Sequence, residues 1–329
     1  MSISEIAKHL KVSKSTVSMV INGKSEQARI SKTLAKRIMD YVEEIGYKPN
    51  ALAKSLATGK SHTIGLIVEN IGDSFFGPIA LYIEEYLRPY GYHVLYSSTL
   101  GDADIAHTIL NAMVDKQVEG LIVSPTIGQE KQVQQVLDSK IPLVIFDRRI
   151  PKIQTNYVGT DNYTASKKAV EHLFNNGFST IGMITIDSKQ PQMLDRLRGY
   201  KEIVSSRNED CIVLELPYIL SRNERDERIK EFLGQNRQLD ALYFSTNYLC
   251  VSTLKAIKSL TRNKTYGMLA FDDHELFELL NPTISCIRQP LENIARQVVA
   301  TLIAQINDPE MPFSDHVISS DLVIRQSSQ

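Results

Sequence analysis

The 329-residue sequence has no tryptophan, three cysteines and no run of eighteen apolar residues. Cys211, Cys250 and Cys286 are odd in number and far apart, which excludes a disulfide framework and a paired-cysteine metal site. Without a long apolar run, no segment is expected to span a bilayer. The opening MSISEIAKHLKVSKS lacks the apolar stretch of an export signal, so a cytoplasmic location is expected. No G-x-S-x-G, H-E-x-x-H or C-x-x-C occurs, and therefore no catalytic residue, cofactor or metal ligand is expected. Net charge is almost absent as well: 37 Lys and Arg stand against 38 Asp and Glu, a total of −1 that taken alone argues against a nucleic-acid partner. What is present is ordinary for a folded chain, with 43% hydrophobic and 23% charged residues. The length points to two domains or more.

The charge total conceals its distribution. Residues 1–60 carry nine Lys and two Arg against Glu5, Glu26, Asp40, Glu43 and Glu44, a net +6, and the remainder is −7. Such asymmetry fits a basic nucleic-acid-binding segment, although a lysine-rich solvated surface has the same signature. Within that segment Ile3, Ile6, Ala7 and Leu10 recur at helical spacing. A tight turn, Lys11-Val12-Ser13, follows, and Ser13 is a good N-cap for a second helix. At about 100° per residue, Thr16, Val17, Val20 and Ile21 share one face of that helix. Lys14, Ser15, Ser18, Met19 and Asn22 share the other, and Ser, Lys and Asn suit phosphates and base edges. Asn22-Gly23 ends the helix, and a third is expected from about Ser31 to Ile45. The pattern is that of a helix-turn-helix, though it also fits a generic three-helix bundle.

From residue 62 apolar strand-like runs alternate with helical stretches such as Phe76–Leu87 and Ala165–Phe174. Strands are expected at Ile64–Val68, His93–Ser97, Gly120–Val123, Leu143–Phe146, Ile181–Ile186, Ile212–Leu216, Ala241–Phe244 and Met268–Phe271. Continuous apolar strands between helices imply parallel sheets covered on both faces, and eight of them exceed one comfortable sheet. Two similar lobes are expected.

The residues themselves resemble a known family. V-S-K-S-T-V-S-M-V-I-N, then Y-K-P-N-A-L-A-K-S-L, then I-G-L-I-V, in that order, are similar to the LacI/GalR family of bacterial transcription regulators. The resemblance implies an all-α helix-turn-helix head at 1–48, a hinge helix and linker at 49–61, and an α/β two-lobed periplasmic-binding-protein-like domain at 62–329. One lobe would comprise about 62–160 and 290–319, the other about 161–289 and 320–329, with crossovers near Asp161, Arg288-Gln289-Pro290 and Ser319-Ser320. It also implies a homodimer on a palindromic double-stranded DNA operator, controlled by a sugar or sugar derivative as effector. Repression is the family default, and some members activate.

On this reading Lys14, Ser15 and Met19 sit where operator sequence is read, and Ser13, Thr16, Ser18, Asn22 and Arg29 suit phosphates. Pro49 keeps the preceding residues extended, and Asn50 caps a short hinge helix that is too brief to persist alone. Ala53 and Leu56 would contact DNA, Leu56 at the position of the family's minor-groove wedge and Leu52 at the hinge-to-hinge contact. Packing of Leu52 and Leu56 on the core is the alternative.

Ligands of open parallel sheets lie beyond the carboxyl ends of the strands. Phe75 and Phe76 follow the first strand, as stacking residues or as core. Arg148 follows the fourth beside Asp147, which is expected to be structural. Arg196 in R-L-R-G-Y matches the family's clamping Arg, Asn247 follows Ala241–Phe244, and Asp272 matches its hydroxyl-accepting Asp. Structural ion pairing is the alternative for Arg196 and Asp272. Two departures from the family pattern stand out, Tyr248 where Asp is usual and Ala270 where Gly is usual. Tyr248 is expected to alter the pocket or remove a helix-start cap, and Cys250 to be a buried small hydrophobe.

Other readings have less behind them. Gly59-Lys60-Ser61 ends like a phosphate-binding loop, but Lys54 stands where its first Gly should be. Tyr163 and Lys167 have the spacing of a dehydrogenase pair, without the Gly-rich turn such an enzyme needs upstream. A solute-binding protein of the same two-lobed fold is the remaining alternative.

Overall fold

The computed structural model describes residues 2–47, 60–218, 220–259 and 264–329. It divides into two compact units, Met1–Ser61 and His62–Gln329. Pro49, Asn50, Leu52, Ala53 and Leu56 lie outside the described residues.

In the first unit, α1 (Ile3–Leu10), α2 (Lys14–Ile21) and α3 (Lys32–Glu44) form where the apolar spacing places them. Ser2 and Glu5 make a reciprocal capping box on α1, and Lys11 ends that helix in the left-handed conformation that turns the chain. Ser13 caps α2 by accepting from the Thr16 N–H at 3.0 Å, and Ser31 caps α3 through the Leu34 N–H. Ile6, Ala7, Val17, Val20, Ile38 and Val42 close the core. The Arg37 guanidinium donates to the Leu10 carbonyl at 2.9 Å, fastening α3 to the end of α1.

The second unit has two six-stranded sheets. The first comprises β1 (Thr63–Val68), β2 (His93–Ser98), β3 (Gly120–Val123), β4 (Leu143–Phe146), β5 (Asn156–Thr160) and β11 (Asp315–Ile318), in the order β11-β5-β4-β3-β1-β2. The second comprises β6 (Ile181–Asp187), β7 (Ile212–Pro217), β8 (Ala241–Phe244), β9 (Gly267–Phe271), β10 (Ser285–Arg288) and β12 (Asp321–Val323), in the order β12-β10-β9-β8-β6-β7. Pairing is parallel except between β10 and β12. The chain passes between the sheets three times, after β5, after β10 and after β11.

Alternation along β1 explains why both faces are covered. Ile64, Leu66 and Val68 pack with α4 (Phe76–Leu87) and α11 (Leu291–Asn307). Ile67 points the other way, among Leu110 and Met113 of α5 (Ala103–Asp115) and Val133 and Val136 of α6 (Glu130–Asp138). The second sheet is built alike. Ile181, Met183 and Tyr243 meet α7 (Asn162–Asn175) and α8 (Pro191–Ser206), and Ile184, Leu242 and Phe244 meet α9 (Arg222–Gln235) and α10 (Asn247–Lys258).

Among the described residues there are four strands beyond the expected eight: β5, β10, β11 and β12. β5 is wholly buried but reads Asn-Tyr-Val-Gly-Thr, its Asn156 amide committed to the Gln305 side chain at 3.0 Å and the Leu143 carbonyl. Its polarity hid it. β11 and β12 are sheet edges of four and three residues with half-exposed patterns. Tyr163 and Lys167 lie at the start of α7, where both side chains bond Glu202, as a helix start accounts for. No helix among the described residues is long and apolar enough to cross a membrane.

Candidate DNA-binding surface and ligand cleft

The outward face of α2 carries Lys14 and Ser15, both exposed, and Met19, 41% exposed although it is a large apolar side chain. The first turn of α2 contains no acidic residue, so nothing neutralises the partial positive charge of its N-terminus. That end suits a phosphate. Some neighbouring polar groups already have partners within the head. The Ser13 hydroxyl, besides capping, lies within hydrogen-bond distance of the Ser15 and Thr16 hydroxyls at 2.7 and 2.8 Å. The Asn22 amide donates to the Ser18 carbonyl at 2.8 Å and closes α2. Arg29 is exposed on a left-handed residue of the loop before α3.

In the second unit the carboxyl ends of the strands of both sheets face one cavity of about 210 Å³. Phe75, Phe76, Arg148, Arg196, Asn247 and Asp272, far apart in the chain, all line it. Phe76 is also core: it is 5% exposed and packs edge-on to Phe146. Phe75 meets Phe76 edge to face at 4.9 Å between ring centres.

The R-L-R-G-Y segment positions its arginine through the other residues of the motif. A Cβ on Gly199 would lie 2.6 Å from the Tyr163 carbonyl oxygen and 2.9 Å from the Ser166 Cβ, so only glycine lets α8 approach α7 this closely. Tyr200 anchors the helix to the sheet by donating to the Ile181 carbonyl at 2.8 Å. Arg196, one turn earlier, donates from Nε to Asn162 Oδ1 at 2.8 Å and from Nη1 to the Ser245 carbonyl at 2.7 Å. Its guanidinium stacks on Phe271, 3.6 Å from the ring centre. The same Nη1 lies 3.6 Å from Asp272 Oδ2.

Asp272 and Asp147 occupy corresponding places, each directly after the strand third from one edge of its sheet and each with a positive φ, 69° and 64°. Left-handed backbone is uncommon outside glycine and tolerated best by Asp and Asn, and here it sets a carboxylate on each wall of the cleft. Asp272 accepts from Gln289 Nε2 at 2.6 Å, and Gln289 Oε1 accepts from Thr160, so this aspartate is bonded to the crossover segments. Burial pushes its pKa up, against Arg196 and Gln289. Burial likewise pushes Asp147 up, against Arg148 and Arg196. Asp147 thus lines the cavity as well as bonding within the protein.

Arg148 forms an ion pair with Glu69 at 2.5 Å and lies 3.2 Å from Asp147. Burial works to raise the Glu69 pKa, but Arg148, helped by the polar side chains of Tyr218 and Gln190, outweighs it and holds the carboxyl below its ordinary value. Tyr218 and Gln190 belong to the opposite lobe and line the same cavity. A hydrogen bond crosses the cleft from Asn247 Nδ2 to Ser74 Oγ at 3.0 Å, and the same nitrogen lies 3.0 Å from the Asp273 carbonyl.

Sequence reasoning did not single out Gln190, Gln192, Tyr218 or Gln289, which also line the cavity. Gln190 and Gln192 lie at the start of α8, which no strand-end pattern marks, whereas Tyr218 and Gln289 directly follow β7 and β10 and carried the same strand-end signal as Asp272. Tyr248 lines it too, its hydroxyl pushed up to about 12 by burial. The cap residue of its helix, Thr246, makes no side-chain capping bond. Cys250 is wholly buried.

The fold and the site can be set beside known proteins. Residues 2–50 match the family described as bacterial regulatory proteins, lacI family. Residues 61–209 match periplasmic binding proteins and sugar binding domain of LacI family, and residues 170–328 match the periplasmic binding protein-like domain. The ribose operon repressor of Haemophilus influenzae is 29% identical over 98% of this chain and 97% of its own length. The lac repressor dimer bound to operator and the anti-inducer ONPF superposes with a TM-score of 0.84 at 19% identity, covering 100% of this chain and 99% of that one. A periplasmic binding protein/LacI transcriptional regulator from Alkaliphilus metalliredigens, complexed with D-xylulofuranose, has a TM-score of 0.71 at 24% identity, covering 82% of this chain and 100% of that one. With a lacI-family head, a periplasmic-binding-protein-like body and relatives that align end to end, the chain belongs to the LacI family, whose members are DNA-binding transcriptional regulators and not enzymes.

Proposed function

We propose that the protein acts in the cytoplasm as a homodimer on a palindromic operator, with a sugar or sugar derivative in the interlobe cleft as its effector. The observation that carries this reading is the convergence of Asp272, Arg196, Arg148 and Asn247 on one cavity between the two sheets. A carboxylate that accepts beside guanidiniums that donate is the complement of a ligand with adjacent hydroxyls. The exposed face of α2 supports the DNA-binding half. Lys14 suits guanine O6 and N7 and Met19 a thymine methyl, while Ser15 fits either base edge. Ser13, Thr16, Ser18, Asn22 and Arg29 have phosphates as their partners.

The bond that crosses the cleft from Asn247 to Ser74 is what a ligand would strengthen or replace. Effector binding then shifts the balance between open and closed lobes, and in the dimer that sets the separation of the two 49–61 segments. Leu56 of both chains enters the minor groove when that separation fits, with Ala53 beside it, and the duplex bends at the wedged step. A mobility-shift assay on palindromic operators, with and without a panel of sugars and sugar phosphates, tests the reading. A retarded complex whose affinity changes with one of these ligands supports it; failure to retard any palindrome at low salt, where phosphate contacts are strongest, overturns it.

A further inference from the structure

We propose that the cleft selects an uncharged polyhydroxyl ligand over its phosphorylated or carboxylated counterpart, and that Glu69 is the residue that sets this preference. The inference rests on the reading of the cleft as the effector site. Five carboxylates line the cavity, those of Glu69, Asp73, Asp147, Asp187 and Asp272, and Arg148 and Arg196 are the cations among the described lining residues. Both arginines are already compensated. Arg148 has Glu69 at 2.5 Å and Asp147 at 3.2 Å, and Arg196 has Asp272 at 3.6 Å. An anionic ligand would meet the surplus carboxylates across a few ångströms in a partly buried cleft, where each such repulsion lowers affinity roughly tenfold. The upward pKa shifts of Asp73, Asp147 and Asp272, each caused first by burial, agree: this cavity resists further negative charge.

The groups left open are those a hydroxyl satisfies. Arg148 Nη1 and Gln192 Oε1 have no hydrogen-bond partner among the described residues, on side chains that are only 6% exposed. One is a donor and the other an acceptor. A hydroxyl both accepts and donates, whereas a phosphate dianion or carboxylate has no proton for the glutamine oxygen. Glu69 is decisive because it neutralises the guanidinium that keeps the free N–H. Replaced by glutamine, it would still accept from Arg148 but would leave that guanidinium with charge to spare for an anion.

Calorimetric titration of the full-length protein with matched pairs tests this: D-ribose with ribose 5-phosphate, and D-glucose with glucose 6-phosphate and gluconate. We expect a neutral sugar to bind at least tenfold more tightly than its anionic partner, and Glu69→Gln to narrow that ratio at least tenfold. Asp187→Asn, on the exposed rim of the cavity where folding is not at risk, should narrow it by a smaller factor. An anionic partner that binds as tightly as the neutral sugar overturns the proposal, as does a ratio unchanged in both variants. If no member of any pair binds while the protein still retards a palindrome, the effector reading of the cleft falls with it; heats from the anionic ligands alone would instead show that only the charge preference is mistaken.

Discussion

Replacing Gly199 by alanine tests how the cleft is held. The added methyl would lie 2.6 Å from the Tyr163 carbonyl oxygen, 2.9 Å from the Ser166 Cβ and 3.2 Å from the Lys167 backbone nitrogen. Two of these are backbone atoms and the third is fixed to the backbone, so none can swing aside, and α7 and α8 must part by about half an ångström or more to restore ordinary contact. Overpacking of this kind costs about 1–3 kcal/mol. Gly234→Ala in α9 is the matched control. Its methyl meets nothing within 4 Å, so the gain in helix propensity should stabilise the protein by about 0.5–1 kcal/mol. The same substitution thus has opposite signs at two helical glycines. Urea unfolding followed by far-ultraviolet circular dichroism, suited to a chain without tryptophan, should move the midpoint down for Gly199→Ala and up for Gly234→Ala. Parting of α7 and α8 also stretches the 2.8 Å bond between Arg196 and Asn162, so Gly199→Ala should weaken sugar binding about tenfold, the worth of one hydrogen bond. A Gly199→Ala protein as stable as the wild type would refute the close-approach argument.

Other outcomes follow from particular side chains. Asp272→Asn keeps a residue tolerant of the left-handed backbone and removes the charge that accepts hydroxyl protons, so sugar affinity by calorimetry should fall about a hundredfold, the loss of two charge-assisted bonds. Asp272→Ala should be less stable than Asp272→Asn by about 1 kcal/mol, because alanine tolerates a φ of 69° less well; equal urea midpoints would contradict this. Asp273 is held well below the ordinary carboxylate range: burial works upward, but Arg325, with both nitrogens at 2.9 Å, and Arg288 at 2.8 Å outweigh it. A carboxyl depressed by folding contributes its stability above the unfolded pKa of about 4 and loses it as pH falls further. Wild-type urea midpoints should therefore drop below about pH 4, and Asp273→Asn should flatten that decline. In the head, binding-site selection should return an altered sequence for Met19→Ala, whereas Arg29→Ala should weaken all sequences alike; an unchanged selection for Met19→Ala would remove Met19 from the reading surface.

The helices of the head were legible because local signals agree. Serine caps, the apolar spacing and a turn at Lys11 point to the same boundaries. Interior strands were legible because burial on both faces makes them continuously apolar, as in Leu143–Phe146 and Ala241–Phe244. β5 was not, since its Asn156 and Thr160 are buried only by virtue of side-chain partners 149 and 129 residues away in the chain, Gln305 and Gln289. The cleft divides in the same way. Residues directly after strands, such as Arg148 and Asp272, can be anticipated from topology alone. Gln192 cannot, because it stands within α8 and its place on the cavity wall depends on how one lobe faces the other. Nor does the sequence state that Glu69 and Asp147 share Arg148, a pairing that exists only once β1 and β4 lie in the same sheet.

Coupling of operator binding at the head to a sugar in the cleft is open to direct measurement. Fluorescence anisotropy of the full-length protein on a selected palindrome, at fixed salt, with and without the sugar that calorimetry shows to bind, measures that coupling directly. Two chains should bind each palindrome, with an affinity that falls steeply as salt rises and changes at least fivefold when the sugar is added, about 1 kcal/mol of coupling. Operator affinity that is the same with the cleft empty and saturated would contradict it.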